Sequence, residues 1–510
     1  MRGFLVPILL LLTFAGCSSN SIPNDTLVVG IESNPTQLDP RLATDAYSVR
    51  ISHLLFDGLL RFNEKGEAIP WIAKNWLNPD PLTYIFTLRS SISFHDGTPL
   101  TASDVVYTFE SMKDPQLRSP NLATLEALDS VTATHANTVV FRLKEPYIPF
   151  LHLLDIGIVP QRQVEQDPQG FRKNPIGTGP FQLDAWKVDD ALVLTANLHH
   201  FLISPHLKKV IFKIIPNDTT RLLELRKGSV EFVQNAVSPD LLPFLSRSKR
   251  LEIIETEGTS YSYLGMNLQD SVLKNLQVRQ AMAYALNREE IVQYLLENKA
   301  ELAAGPLAPP IFGHTDSVEK FFHDPEKAKA LLDEAGYEDP DGEGPLPRFS
   351  LSYKTTDNPL RKRIAEVLKL QLASVGIELQ VRTYEWGTFF SDIQKGNFQL
   401  FTLTWVGISE PDILYYLFHS KSAPPQGANR GHYQNVEVDA LLEEGRRTLD
   451  PEERKKIYRE VQKILAEDLP YISLWYPHTL IVMDKRIRGF IPYPNGAFDS
   501  FIQVHKETAL

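Results

Sequence analysis

The sequence predicts a large α/β protein organised as more than one lobe, and three observations carry that reading. Helix-start signals alternate along the chain with segments of period-two hydrophobicity, and helix followed by strand, repeated, is the pattern of α/β architecture. The chain is 510 residues long with 43% hydrophobic content, enough to bury a large core and more than one compact unit usually holds. No repeat of solenoid period, low-complexity tract or long charge block interrupts it.

The first element is a leader. Met1-Arg2-Gly3 carries one positive charge, and the apolar run from Phe4 to Phe14, broken only by Pro7 and Thr13, has signal-peptide length and is too short to span a bilayer. It ends in Phe14-Ala15-Gly16-Cys17-Ser18-Ser19-Asn20, similar to a bacterial lipobox with Phe14 where leucine is usual. Cys17 is the only cysteine, so no intrachain disulfide and no C-x-x-C site can form. Residues 1–16 are therefore expected to be a signal peptide and 17–25 a spacer anchored by diacylated Cys17, since two acyl chains hold a protein on a membrane where one does not. The expected location is periplasmic or cell-surface, tethered to a membrane.

Further along, Tyr84, Phe86 and Leu88 alternate with Ile85, Thr87 and Arg89 as a strand, with Asp96-Gly97 as a turn beyond it. Thr101-Ala102-Ser103-Asp104 is a capping box that opens a helix through Val105, Phe109 and Met112. Val278, Ala281, Met282, Ala285 and Leu286 form one helical face, after which Asn287 and Glu290 cap the next helix. Asp324-Pro325-Glu326 starts a helix that packs Leu331, Leu332 and Ala335 and stops at Gly336. The helix of Ile364, Leu368, Leu372 and Val375 ends at Gly376, and the strand Ile377-Glu378-Leu379-Gln380-Val381 follows directly. Asp450-Pro451-Glu452-Glu453 starts the last long helix, with Ile457, Val461, Ile464 and Leu465 inward. Pro/Gly clusters at 308–310, 339–345 and 423–425 read as surface loops.

Net charge is −11 and the pI about 5.7, which argues against nucleic acid as a partner. There is no phosphate loop, G-x-G-x-x-G, H-E-x-x-H or G-x-S-x-G, so ATPase, dinucleotide, zincin and α/β-hydrolase signatures are all missing. His199, His200 and His206 lack a nearby carboxylate or ligand spacing and read as loop histidines. Glu443, Glu444, Glu452 and Glu453 lie on polar helix faces or at helix starts. Trp386, Trp405, Tyr353, Tyr261 and Tyr263 fall near expected strand ends or turns, where aromatics line clefts or fill lobe cores.

Four blocks together resemble the bacterial extracellular solute-binding proteins of family 5, the peptide and nickel group. They are Leu27-Val28-Val29-Gly30 with Gln37-Leu38-Asp39-Pro40 and Leu55-Phe56-Asp57-Gly58-Leu59-Leu60; Phe86 to Arg89 with Phe94-His95-Asp96-Gly97-Thr98-Pro99 and its helix; Pro175-Ile176-Gly177-Thr178-Gly179-Pro180-Phe181; and Asn267 with Val278 to Arg288. The Gly177-Thr178-Gly179-Pro180 segment needs only a tight backbone bend to explain it.

The resemblance implies a two-lobed periplasmic-binding-protein fold of type II with an extra subdomain in the first lobe and a hinged cleft. The expected division is 26–266 with 480–510 for the first lobe, about 61–172 of it the extra subdomain, and 267–479 for the second. It also implies a monomer that binds an oligopeptide or other small solute and delivers it to an ABC permease, with no enzymatic activity, cofactor or metal. Position by position, the ligand contacts fall on Asn34, Pro35, Tyr353, Lys354, Trp386, Trp405, Gly407, Glu410 and Asp412. Peptide binders place an aspartate three residues after the second tryptophan to hold the ligand's ammonium; here that residue is Ile408. Either Glu410 or Asp412 turns inward, or the solute lacks a free amine, because a buried ammonium needs an anionic partner. A sugar, an opine or a metal chelate as solute, and a peptide-sensing receptor, stay open as alternatives.

Overall fold

The computed structural model describes residues 22–342 and 344–507; Cys17 and the leader expected before it lie outside the described residues. Two main sheets form two lobes. The first has seven strands in the order Leu251–Thr256, Thr479–Asp484, Phe232–Gln234, Thr26–Ile31, Lys209–Ile214, Ala191–Ala196 and Phe181–Lys187. Its central strand Thr26–Ile31 runs parallel to both neighbours, and all six of its residues are buried, which is why Thr-Leu-Val-Val-Gly-Ile reads as a continuous apolar run and does not alternate. The second sheet has six strands in the order Ala300–Leu302, Tyr471–Pro477, Tyr261–Met266, Leu400–Trp405, Phe349–Thr356 and Ile377–Tyr384. Phe349–Thr356 is parallel to Ile377–Tyr384 and to Leu400–Trp405.

A four-stranded antiparallel sheet, Ala73–Asp80, Thr83–Leu88, Thr138–Leu143 and Leu128–His135, makes a further core within the first lobe. Phe109, on the helix Ala102–Met112, packs edge-on against Phe141 at 5.0 Å. The helix starts follow their expected chemistry. Thr101 and Asp104 form the capping box, Asp324 accepts from the Lys327 amide at 3.0 Å to start Pro325–Glu334, and Asp450 accepts from Glu453 at 2.9 Å to start Pro451–Asp468. Gly376 sits at φ +83° between the helix Pro359–Ala373 and the strand Ile377–Tyr384, a left-handed stop.

The crossings between lobes fall elsewhere than expected. Tyr261–Met266, expected in the first lobe, is hydrogen-bonded on both sides within the second sheet, and Thr479 already pairs with Thr256 in the first. The chain therefore crosses at 257–260 and at His478. The two passages lie side by side: a side chain on Gly258 would meet the Pro477 carbonyl at 2.9 Å. The segment 493–496 packs across them, with the Thr259 amide donating to Pro494 at 3.1 Å.

Two close approaches explain sequence motifs. Gly177 and Gly179 are absent from the left-handed residues, so the tight bend expected from them is not the reason for glycine here. A side chain at either would run into the carbonyl of Leu55 at the end of the first helix. The adjoining Thr178 hydroxyl donates to Asp57 at 2.8 Å. Asp57 is fully buried and also takes Trp71 Nε1 at 2.7 Å, Arg61 at 3.3 Å and His200 Nε2 at 3.4 Å. Burial works to raise its carboxyl pKa, but His200 and Arg61 outweigh it and hold the group well below the carboxylate range. His200 is thus a loop histidine as expected, but a buried one, and the carboxylate that the local sequence lacks is supplied by Asp57. At the end of the chain, Lys506 buries its ammonium completely against both oxygens of Glu231, at 2.9 and 3.0 Å.

The interlobe cleft as candidate functional site

In open α/β sheets, ligands collect beyond the carboxyl ends of the parallel strands. In the first lobe those ends are 32–35, 215–217 and 235–238; in the second they are 357–358, 385–386 and 406–408. Cross-lobe contacts surround them. Arg363 pairs with Asp240 at 3.0 Å, Arg447 with Glu145 at 2.7 Å, and the Ile148 amide donates to the Arg446 carbonyl at 2.9 Å.

On the first-lobe side, Asn34 exchanges hydrogen bonds with Asp189, whose amide donates to it at 3.0 Å. Its side-chain amide is committed to the hairpin between Phe181–Lys187 and Ala191–Ala196, and Pro35 is buried. Arg50, on the first helix, is buried with one long bond, 3.4 Å to the Asn495 carbonyl. Burial lowers its pKa, with Tyr47 and Glu32 acting in the opposite sense.

On the second-lobe side, the expected residues separate into core and wall. Tyr353 is 0% exposed, its hydroxyl within 2.7 Å of Thr402, and Tyr261 and Tyr263 are equally buried; these tyrosines are core. Lys354 donates to Asp392 at 2.5 Å. Trp386 and Trp405 are half-buried and form a wall. Trp386 opens the helix Trp386–Gln394, capped by Glu385, and stacks on Phe390 at 5.4 Å and 11°. Arg430, which no sequence pattern singled out, lies 5.4 Å from the Phe390 ring and 4.9 Å from that of Trp405. The Arg361 guanidinium lies over the Trp386 ring at 5.6 Å.

Gly407 sits at φ +68°, and a side chain there would strike the Asn495 carbonyl, so this position demands glycine as backbone beside the crossings. Ile408 is 5% exposed, and its amide donates to Thr259 at 3.1 Å. Neither acidic residue after it turns to an open position. Glu410 is ion-paired with Arg454. Asp412 is held by Arg446 at 2.7 and 3.0 Å and accepts from the Tyr147 hydroxyl of the first lobe at 3.0 Å. Burial pushes the Asp412 carboxyl up against the pull of Arg446, and Tyr147 is raised by burial and by the Asp412 charge. The partners Tyr147, Arg446 and Arg454 escaped the sequence reading because each lies on a different element from the acid it serves.

His152 stacks on Phe62 at 4.3 Å; burial, reinforced by Arg454 and opposed by Asp155 and Asp412, depresses its pKa to about 4. A separate cavity of about 180 Å³, lined by Arg288, Phe321, Gln462 and Ser473 among others, draws all its walls from the second lobe and is not the cleft.

This arrangement offers a hinge, facing strand ends and an aromatic wall. The model of the bacterial extracellular solute-binding proteins, family 5 Middle, matches residues 67–425. The chain belongs to family 5. It is 31% identical to the oligopeptide-binding protein AppA of Bacillus subtilis (strain 168) over 488 residues, covering 92% of this chain and 89% of that one. The structure of Bacillus subtilis AppA in complex with a nonapeptide superposes with a TM-score of 0.89 at 29% identity, over 95% of this chain and 99% of that one. NikZ from Campylobacter jejuni in complex with Ni(L-His) gives 0.86 at 28%, over 95% and 100%. The protein is thus a member of a family of bacterial extracellular solute-binding proteins.

Proposed function

We propose that the protein captures oligopeptides between its lobes and passes them to a membrane permease, working as a monomer tethered through diacylated Cys17. In this reading 1–16 is removed, 17–25 is the tether, the first lobe comprises 26–256 and 479–507 with the extra subdomain at about 61–172, and the second lobe spans 261–477. The observation that carries it is the wall of Trp386, Phe390 and Trp405 at the strand ends, in a chain similar over 92% of its length to an oligopeptide-binding protein. Stacked aromatics with buried edges accept varied side chains because they offer area without demanding one hydrogen-bond pattern. Thermal unfolding with peptides from dipeptides to nonapeptides, sugars, opines and nickel–histidine tests it. Peptides are expected to raise the melting temperature; if none does while another class does, the peptide reading is wrong.

A second reading is favoured by one specific observation: Ile408 stands where an ammonium partner is expected, and Glu410 and Asp412 are both occupied by arginines. A non-peptide solute such as a sugar, an opine or a metal chelate fits that, and NikZ holds Ni(L-His) on the same fold. A peptide-sensing role would use the same capture; survival of the response after the permease is deleted marks it.

A further inference from the structure

We propose that Arg430 is the anchor for a carboxylate group of the solute, held at the base of the Trp405 wall; this rests on the reading of interlobe capture. The other buried arginines separate by what partners them. Arg41, Arg61, Arg221 and Arg454 each hold a carboxylate, and Arg279 holds four backbone carbonyls. Arg50 has one long bond but the charge of Glu32 nearby. Arg430 is 7% exposed, and the one hydrogen bond of its guanidinium among the described residues is 3.4 Å to the Tyr263 hydroxyl.

That hydroxyl is surrounded by donors. Trp405 Nε1 and the Tyr471 hydroxyl are both buried and without a partner among the described residues. The rings that carry them lie parallel to Tyr263, at 6.5 Å for Trp405 and 4.2 Å for Tyr471. A guanidinium, an indole N–H and two phenols form a cluster with donors in excess, and such a cluster in a dry place lacks an acceptor with negative charge. The guanidinium carbon lies 5.4 Å from the Phe390 ring centre and 4.9 Å from that of Trp405, and apart from the Tyr263 bond the guanidinium N–H groups have no acceptor among the described residues; a planar, two-oxygen carboxylate matches such a fork. Trp405 ends its strand at the cleft, which places the anchor under the solute.

The carboxylate has three possible sources: a peptide C-terminus, an acidic side chain, or a free organic acid. The test compares the mature wild-type chain with Arg430→Met and Arg430→Lys by thermal unfolding and by tryptophan-fluorescence titration. The probes are sodium acetate against sodium chloride at equal ionic strength, trialanine against trialanine amide, alanyl-glutamyl-alanine amide, and glutarate. Ligand-free Arg430→Met is expected to melt above wild type, since an unpartnered buried charge is gone, and to lose roughly tenfold or more in affinity for each carboxylate probe that wild type takes. Arg430→Lys, with charge but no fork, recovers part of that affinity. Loss for trialanine but not its amide assigns the C-terminus, loss for the glutamyl probe assigns a side chain, and loss for glutarate alone assigns an organic acid. A lower ligand-free melting temperature in Arg430→Met, with carboxylate responses as in wild type, overturns the proposal. If solutes stabilise wild type and Arg430→Met alike, capture stands and the anchor falls. If acetate separates the two proteins while no larger solute binds either, the anchor stands and capture falls.

Discussion

Tyr147→Phe isolates the contact that ties the lobes together. The Tyr147 hydroxyl donates to Asp412 at 3.0 Å across the lobes, while the ring lies 5.2 Å from the Arg446 guanidinium. The substitution removes the O–H and keeps the ring, and Asp412 keeps both Arg446 bonds. A hydrogen bond to a charged group contributes about 1.5–3 kcal/mol, and because this one joins separate lobes, its loss falls on the closed state alone. At 1.4 kcal/mol per factor of ten, dissociation of a captured solute should accelerate roughly 10- to 100-fold, with association nearly unchanged. Stopped-flow tryptophan fluorescence measures both rates. The reasoning fails if the off-rate is unchanged while the ligand-free melting temperature falls by an equivalent amount, because Tyr147 would then be a static prop.

Three further outcomes are expected. His152 has a folded pKa of about 4 against an ordinary 6.5, so the folded state prefers it neutral; its contribution is complete above about pH 6.5 and is lost as pH falls toward 4, by at most about 3 kcal/mol. Urea midpoints across that window should have a shallower slope in His152→Gln, and an unchanged slope assigns the effect to other groups. Asp57→Asn uncouples His200 and Arg61 inside the first lobe and should cost about 3–5 kcal/mol by chemical denaturation, while the protein that remains folded binds solute as before. Gly177→Ala forces a methyl against the Leu55 carbonyl and the Phe56 ring and should cost about 1–3 kcal/mol; a neutral result would mean that the segment moves aside freely.

Local chemistry was legible and tertiary partnership was not. The caps at Thr101, Asp324 and Asp450 work within one turn of chain, so their residues could be read together. Tyr353 and Lys354, expected at a strand end, lie inside the strand Phe349–Thr356, with Thr355 and Thr356 still paired beyond them; alternation says only that neighbours face opposite ways, not where the strand stops or which face meets the cleft, and Tyr353 faces Thr402. The crossing precedes the strand Tyr261–Met266 and does not follow it, because the turn residues Asn267 and Asp270 after the strand close a turn inside the second lobe, while the crossing itself carries only Gly258. Glu410 and Asp412 looked available because their arginines lie 44 and 34 residues away on other helices. Arg430 belongs to the same class: a single basic residue in a loop gains meaning only from the rings that enclose it.

The position of Thr479–Asp484 governs when the first lobe can exist at all. That strand is threaded between Leu251–Thr256 and Phe232–Gln234, and Lys506 must arrive before Glu231 has its buried counter-charge. A chain emerging amino end first therefore completes its second sheet before its first, and the half-made sheet waits with an open slot in it. Ribosome-release or translocation intermediates should expose that slot to chaperones, and a peptide spanning 479–507 should compete for it.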